Sequence, residues 1–236
     1  MKIEDEIKLE SRKWIKENEK KIIEKFIKNE PVFEGDPFTI FMAGSTGAGK
    51  TEYSKRFISS FKEINPDTYI ARIDADEIKE IIPNYKGSQS YLFQSASSLG
   101  VEKMYDYVLK RKINSIVDGT LASYEVAYKN IARSINEKRI TSIFYIYQDP
   151  IIAWEFTRKR EKMEGRNISK EVFVESFFSA RDNVDKLKNV FKNKIKIFLI
   201  DKNFKEKTEK LYFNIDNIDN YLKIKYNKKS LIKKIC

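Results

Sequence analysis

The sequence predicts an α/β fold, a mostly parallel sheet with helices on both faces, and three observations predict it. Apolar runs of strand type recur at 38–43, 69–73, 113–117, 140–147 and 195–200, with helix-like segments between them. Alternation of this kind implies parallel strands joined by right-handed crossovers. The first run passes directly into Gly44-Ser45-Thr46-Gly47-Ala48-Gly49-Lys50-Thr51, a glycine-rich turn that opens a helix. The first three runs end in glycine or acid, at the strand ends where ligands sit in such sheets.

Each element follows from local pattern. Residues 1 to about 30 alternate Lys and Glu around Ile3, Ile7, Leu9, Trp14, Ile15, Ile22, Ile23 and Phe26, the spacing of an amphipathic N-terminal helix or helix pair. Pro31 and the turn Glu34-Gly35-Asp36-Pro37 end it. After strand 38–43 and its loop comes a helix from Glu52 to Phe61, then a strand from Tyr69 to Ile73 that ends in Asp74-Ala75-Asp76. A short helix, Glu77 to Ile82, stops at Pro83, and a longer one covers about 91–110. The third strand, Ile113 to Val117, ends in Asp118-Gly119-Thr120; a helix over 123–138 and a strand from Ile140 to Tyr147 follow, closed by Asp149-Pro150. Helices over 150–163 and 169–190 flank Glu164-Gly165-Arg166-Asn167, and the last strand is Ile195 to Ile200. The chain thus divides into an N-terminal helical extension (1–36), a central domain (37–203) and a C-terminal helical, basic extension (204–236).

Composition narrows the chemistry. The chain has 236 residues, 41% of them hydrophobic, enough for one α/β domain with appendages and a substantial core. No run of about 18 uncharged apolar residues is present, so no ordinary transmembrane helix is expected, and the charged N-terminus lacks the apolar segment of a signal peptide. A single cysteine, Cys236, forbids an internal disulfide and fits a reducing cytoplasm. There is no histidine, which excludes His triads, His-ligated zinc and an imidazole base. Proton transfer must then use carboxylates, Lys, Tyr or water, and any metal should be a hard ion held by oxygen. The net charge of +11 is scattered among acids except in the tail Lys223–Lys234, which holds six lysines and no acid. The tail is expected to be a solvated terminus, with contact to RNA or anionic lipid as the alternative.

The glycine-rich segment is the complete G-x-x-x-x-G-K-[ST] phosphate loop in its strand–loop–helix context, and predicts a P-loop NTPase fold. Gly44, Gly47 and Gly49 let successive N–H groups turn inward toward phosphate oxygens, and the helix N-terminus adds positive potential. Ser45, Thr46 and Ala48 complete the cradle. Lys50 can reach the β- and γ-phosphates of ATP, and the Thr51 hydroxyl can coordinate Mg²⁺. At the neighbouring strand ends, Asp74 and Asp76 offer a catalytic carboxylate beside a helix N-cap. Asp118 offers a ligand for a substrate hydroxyl or hydrated Mg²⁺, or a simple turn residue before Gly119. Arg158, Arg160 and Arg166 straddle a helix end and can neutralise phosphoryl charge as a lid, or form a solvated basic face.

The ordered set of phosphate loop, Ile73-Asp74-Ala75-Asp76, Ile82-Pro83-Asn84-Tyr85, Asp118-Gly119-Thr120 and arginine segment resembles the zeta toxin family of P-loop kinases. The resemblance spans about residues 38–190. It implies phosphorylation of a UDP-N-acetylamino sugar by ATP, with Asp76 as the base for the sugar hydroxyl. It implies Asp74, Glu102, Asp118 and Thr120 on the substrate side, Glu102 lying sixteen residues before Asp118. Arg160 and Arg166 correspond best to the family's lid pair; they stand only six residues apart, a shorter lid, and Arg158 competes with Arg160. The resemblance also raises an antitoxin protein as a partner. Alternatives are a kinase acting on another small metabolite or a nucleic-acid 5′-hydroxyl, and an ATP-hydrolysing switch.

Overall fold

A computed structural model of the protein describes residues 2–28, 35–165, 167–222 and 225–235. Two helices, α1 (Lys2–Glu17) and α2 (Glu19–Phe26), precede strand β1 (Phe38–Ala43). Then come α3 (Lys50–Ile64), β2 (Ile70–Asp74), α4 (Ala75–Glu80), α5 (Ser90–Lys110), β3 (Asn114–Asp118), α6 (Tyr124–Asn136) and β4 (Ile140–Gln148). The chain continues through α7 (Pro150–Glu164), α8 (Lys170–Phe191), β5 (Lys196–Asn203), β6 (Thr208–Tyr212) and α9 (Lys228–Lys234).

The sheet has six strands in the order β2-β3-β1-β4-β5-β6. The pairings from β2 through β5 are parallel, and β6 pairs antiparallel to β5. Strands β1 and β3 are buried along nearly their whole length, as expected of parallel strands covered on both faces. One face carries Phe41, Ala71, Ile73, Val117, Ile143 and Tyr145, sealed by α5 and α8. The other carries Ile40, Met42, Ile116, Phe144 and Ile146, sealed by Tyr53, Phe57, Ile58 and Phe61 of α3. At the amino edge of the sheet Arg139, 5% exposed, ties strands together. Its Nε donates to Thr39 Oγ1 at 2.8 Å, and its Nη2 donates to the Phe38 and Ile113 carbonyls.

The N-terminal helix pair packs on the domain. Ile15, Ile22 and Ile27 belong to the main core, and Arg12 Nη1 donates to Ser95 of α5, to Oγ at 2.7 Å and to the carbonyl at 3.1 Å. The Pro31 and Glu34 part of the expected turn lies outside the described residues.

Two expectations for the C-terminal segment are corrected. Strand β5 is not the last, because 208–212 adds an edge strand where only helix was expected. The segment is polar and mostly exposed, so it has no apolar signature; its hydrogen bonds to β5 define it. The lysine-rich tail is not simply solvated. Its helix α9 is fixed by a capping box between Asn227 and Ser230. Leu231 and Ile235 are buried against Ala153, Trp154, Phe173 and Phe177 of α7 and α8. Leu231 and the C-cap residue Ile235 sit four apart on one side of the helix, so lysines can coat the rest without preventing docking.

Candidate active site

The phosphate loop leaves β1 at Gly44, whose φ is 128°. A β-carbon there would come within 2.3 Å of the Ile146 carbonyl oxygen of β4. At Gly47, φ 75°, a β-carbon would stand 2.0 Å from the Ala153 carbonyl of α7. Both positions therefore require glycine for space as well as dihedral angle. The loop start is anchored by Gly44 N–H, which donates to the Thr120 carbonyl at 3.2 Å. Ala48 N–H donates to the Ser45 carbonyl at 3.3 Å, both residues being buried. Lys50, the first residue of α3, turns back over the loop and donates from Nζ to the Ser45 carbonyl at 2.7 Å.

Four charged groups act on that ammonium. Burial lowers the Lys50 pKa; Asp118, Asp76 and Asp74 oppose this, and Arg160 adds to it. The groups that act on Lys50 thus include the strand-end acids Asp118 and Asp74, Asp76 of α4 and Arg160 of α7.

The acids are divided by their hydrogen bonds. Strands β2 and β3 pair in a register that sets Asp74 directly beside Asp118. Arg72, two residues before Asp74 on β2, donates from Nη1 to Asp74 Oδ2 and Asp118 Oδ2 at 2.7 Å each, and from Nη2 to Glu77. Burial works against the guanidinium charge, but the carboxylates outweigh it and hold the Arg72 pKa above its ordinary value. Asp74 Oδ1 accepts from Asp76 N–H at 2.8 Å, capping α4. Asp118 Oδ2 also accepts from the Ser54 hydroxyl of α3 at 3.0 Å. Its pKa is raised by burial and by Asp74, against the pull of Lys50, Arg72 and Ser54.

Asp76 differs from both. Its side chain is 41% exposed, and Oδ1 accepts from Lys79 Nζ at 3.3 Å, a lysine whose own side chain is 7% exposed. Of the two acids in the Asp-x-Asp pair, Asp74 caps the helix and Asp76 is the more exposed, at 41% against 10%.

The remaining candidates are placed as follows. Thr51 lies in the first turn of α3. Thr120 Oγ1 accepts from Ala122 N–H at 3.3 Å beside the loop start. Glu102 of α5 pairs with Lys129 of α6 at 2.9 Å, which lowers its pKa. Arg158 is engaged by Glu161 and stacks over Trp154, 5.8 Å from the ring centroid, whereas the Arg160 charge reaches Lys50. Arg166 lies outside the described residues.

Sequence reasoning missed Arg72, Ser54 and Lys79. Arg72 had a signal: a charge inside an apolar strand, on the same face as Asp74 two residues on. Ser54 and Lys79 had none beyond helical spacing.

No three or more acidic or cysteine side chains among the described residues are placed to form a metal cage. The donors do fit Mg²⁺, which keeps waters and phosphate ligands and asks the protein for few oxygens. Thr51 supplies a hydroxyl in the first helical turn. Asp118 supplies a hard carboxylate on the strand next to β1, fixed by Ser54 one turn further along α3.

A family model described as Zeta toxin matches residues 23–217. No curated protein matches the chain. Among solved structures, one from the PezAT chromosomal toxin–antitoxin system of Streptococcus pneumoniae is similar, with a TM-score of 0.66 and 17% identity over 94% of this chain and 85% of that one. The AvrRxo1-ORF1:-ORF2 complex is similar with a TM-score of 0.61 and 15% identity, over 93% of this chain and 70% of that one. The same complex with ATP gives a TM-score of 0.60 and 15% identity, over 93% and 69%. Among the described residues no helix is long and apolar enough to cross a membrane.

Proposed function

Because the chain belongs to the zeta toxin family, we propose that it is an ATP-dependent kinase transferring the γ-phosphate to a hydroxyl of a UDP-N-acetylamino sugar. One observation carries the kinase reading: Lys50, turned back over the glycine-rich loop onto the Ser45 carbonyl at 2.7 Å, shares α3 with Ser54, which holds Asp118 at 3.0 Å, and the charges of Asp76 and Arg160 act on the same ammonium. Those are the parts that phosphoryl transfer needs, a phosphate anchor, a base, a carboxylate for the metal side and a counter-charge. The similar complex solved with ATP supports the donor.

In this reading the loop 44–51 cradles the triphosphate with its backbone N–H groups, and Lys50 exchanges the Ser45 carbonyl for phosphate oxygen. Thr51 would hold Mg²⁺, with Asp118 orienting its water; the ion would supply charge neutralisation across the β- and γ-phosphates. Asp76, the more exposed acid of its pair and beside Lys79, accepts the proton of the acceptor hydroxyl as the oxygen attacks. Arg160, with Arg166 from the neighbouring segment, neutralises charge on the transferred group. Arg72 positions Asp74 and Asp118 and touches no substrate. The sugar-nucleotide acceptor rests on the family resemblance, and Asp74, Glu102, Asp118 and Thr120 are its candidate contacts. Toxin–antitoxin assembly of the PezAT neighbour supports an antitoxin as partner.

The test is incubation with ATP and a panel of sugar nucleotides, small alcohols and 5′-hydroxyl oligonucleotides, read by mass spectrometry. Gain of one phosphate on a UDP-N-acetylamino sugar is expected. Phosphate gain on another acceptor alone overturns the sugar assignment; ADP formation with no phosphorylated acceptor overturns the kinase reading. The short spacing between Arg160 and Arg166 favours, as second reading, a smaller hydroxyl acceptor under a shorter lid.

A further inference from the structure

Lys202, at the carboxyl end of β5, lies against the phosphate loop. Its Nζ is 2.7 Å from the point where a β-carbon on Gly49 would stand, and its side chain is 23% exposed. Gly49 is the N-cap of α3, so the ammonium rests at the positive end of that helix dipole, a place that favours anions and disfavours cations. Glu209 stands opposite Lys202 in the β5–β6 register and is its ion-pair partner at 3.9 Å, the long limit for such a pair. Glu209 is bonded far more closely to Arg56 of α3, at 2.6 Å. Glu52 Oε2 lies 3.6 Å from the same point on Gly49. Lys202 is therefore held over a phosphate cradle by a loose pair, at a helix N-terminus that favours a bound anion.

We propose that Lys202 is a phosphate-binding residue for the donor nucleotide, reaching the α- or β-phosphate of a nucleoside di- or triphosphate seated in the 44–51 loop. This rests on the reading of that loop as the triphosphate site. The β5–β6 hairpin then borders the donor site: β5 delivers the cation, and Glu209, bonded to Arg56 of α3, competes with phosphate for it.

Direct titration with ATP, ADP and adenosine, without acceptor, tests it on the wild type, Lys202→Ala, Lys202→Arg and Glu209→Gln. Loss of a charge-assisted phosphate contact should weaken ATP and ADP binding roughly 10- to 100-fold in Lys202→Ala. Adenosine binding should not change, and Lys202→Arg should restore most of the loss. Glu209→Gln, which frees the lysine, should bind ATP at least as tightly as the wild type. Unchanged ATP affinity in Lys202→Ala overturns the assignment. So does an equal loss for adenosine, or a loss in Glu209→Gln as large as in Lys202→Ala, since each would make Lys202 a hairpin brace. A wild type that binds no ATP overturns the donor-site reading itself, a separate outcome. Thermal unfolding of each variant confirms the fold, and Lys202→Arg keeps the test open if the alanine variant unfolds.

Discussion

Arg72 donates to Asp118 across the β2–β3 pair at 2.7 Å, and the same nitrogen holds Asp74 at the same distance. Two buried carboxylates in register would repel each other without it. Replacing Arg72 by Met should cost about 3–5 kcal/mol at neutral pH, the usual loss when one partner leaves a buried charge network. The pH dependence follows from Asp118, whose folded-state pKa is raised. The folded state then binds more protons than the unfolded one just above the ordinary carboxylate range, so stability falls as pH rises through that window. Without Arg72 the window widens upward, and the variant should regain part of its loss at about pH 5. Urea unfolding at the two pH values checks this; a pH-independent loss would place the Arg72 contribution in packing alone.

The roles proposed for Asp76 and Lys50 separate chemistry from binding. Asp76→Asn should lower phosphate transfer about 10²- to 10⁴-fold, the range for loss of a general base, while ATP affinity stays near the wild-type value. Lys50→Ala should weaken both ATP binding and turnover. Paired titration and steady-state kinetics make the comparison, and unchanged turnover in Asp76→Asn removes the base assignment.

Arg160 and Arg158 lie two residues apart on α7 yet face different surroundings. Arg160→Ala should lower kcat about 10³-fold, as loss of a transition-state arginine does. Arg158→Ala, which breaks a contact with Glu161 and Trp154, should change kcat by less than about tenfold, as expected of an exposed pair. Equal effects on kcat would mean that the charge acting on Lys50 is not what sets the rate.

The lysine-rich tail offers a stability prediction. Leu231→Ala removes a fully buried side chain from the α7–α8–α9 cluster and should cost about 2–4 kcal/mol. Lys233→Ala and Lys234→Ala should each shift stability by less than about 0.5 kcal/mol. Denaturant titration of the three variants decides between a docked helix and a solvated terminus.

How far the sequence spoke depends on where each signal comes from. Strand β1 was legible to the residue because two-faced burial demands an unbroken apolar run, and the loop after it because phosphate binding fixes glycine positions. The main helices were legible through their apolar spacing. Strand β6 was not, since Thr208–Tyr212 gains its structure from the edge of β5 and carries no apolar alternation of its own. Nor could spacing separate Asp74 from Asp76; the N-cap bond from Asp76 N–H to Asp74 does so only once the backbone is placed. Arg160 and Arg158 share one composition and one helix, and only their three-dimensional neighbours distinguish them.

Gly47 lies against α7 with no room to spare: the Ala153 carbonyl and the Thr157 hydroxyl occupy the positions a side chain would need, at 2.0 and 2.7 Å. Seven residues beyond Ala153 on the same helix stands Arg160. On the reading proposed above, the wall of the donor cradle and the arm that carries the counter-charge are thus one helix. A substitution that shifts α7 away from Gly47 would therefore move both at once.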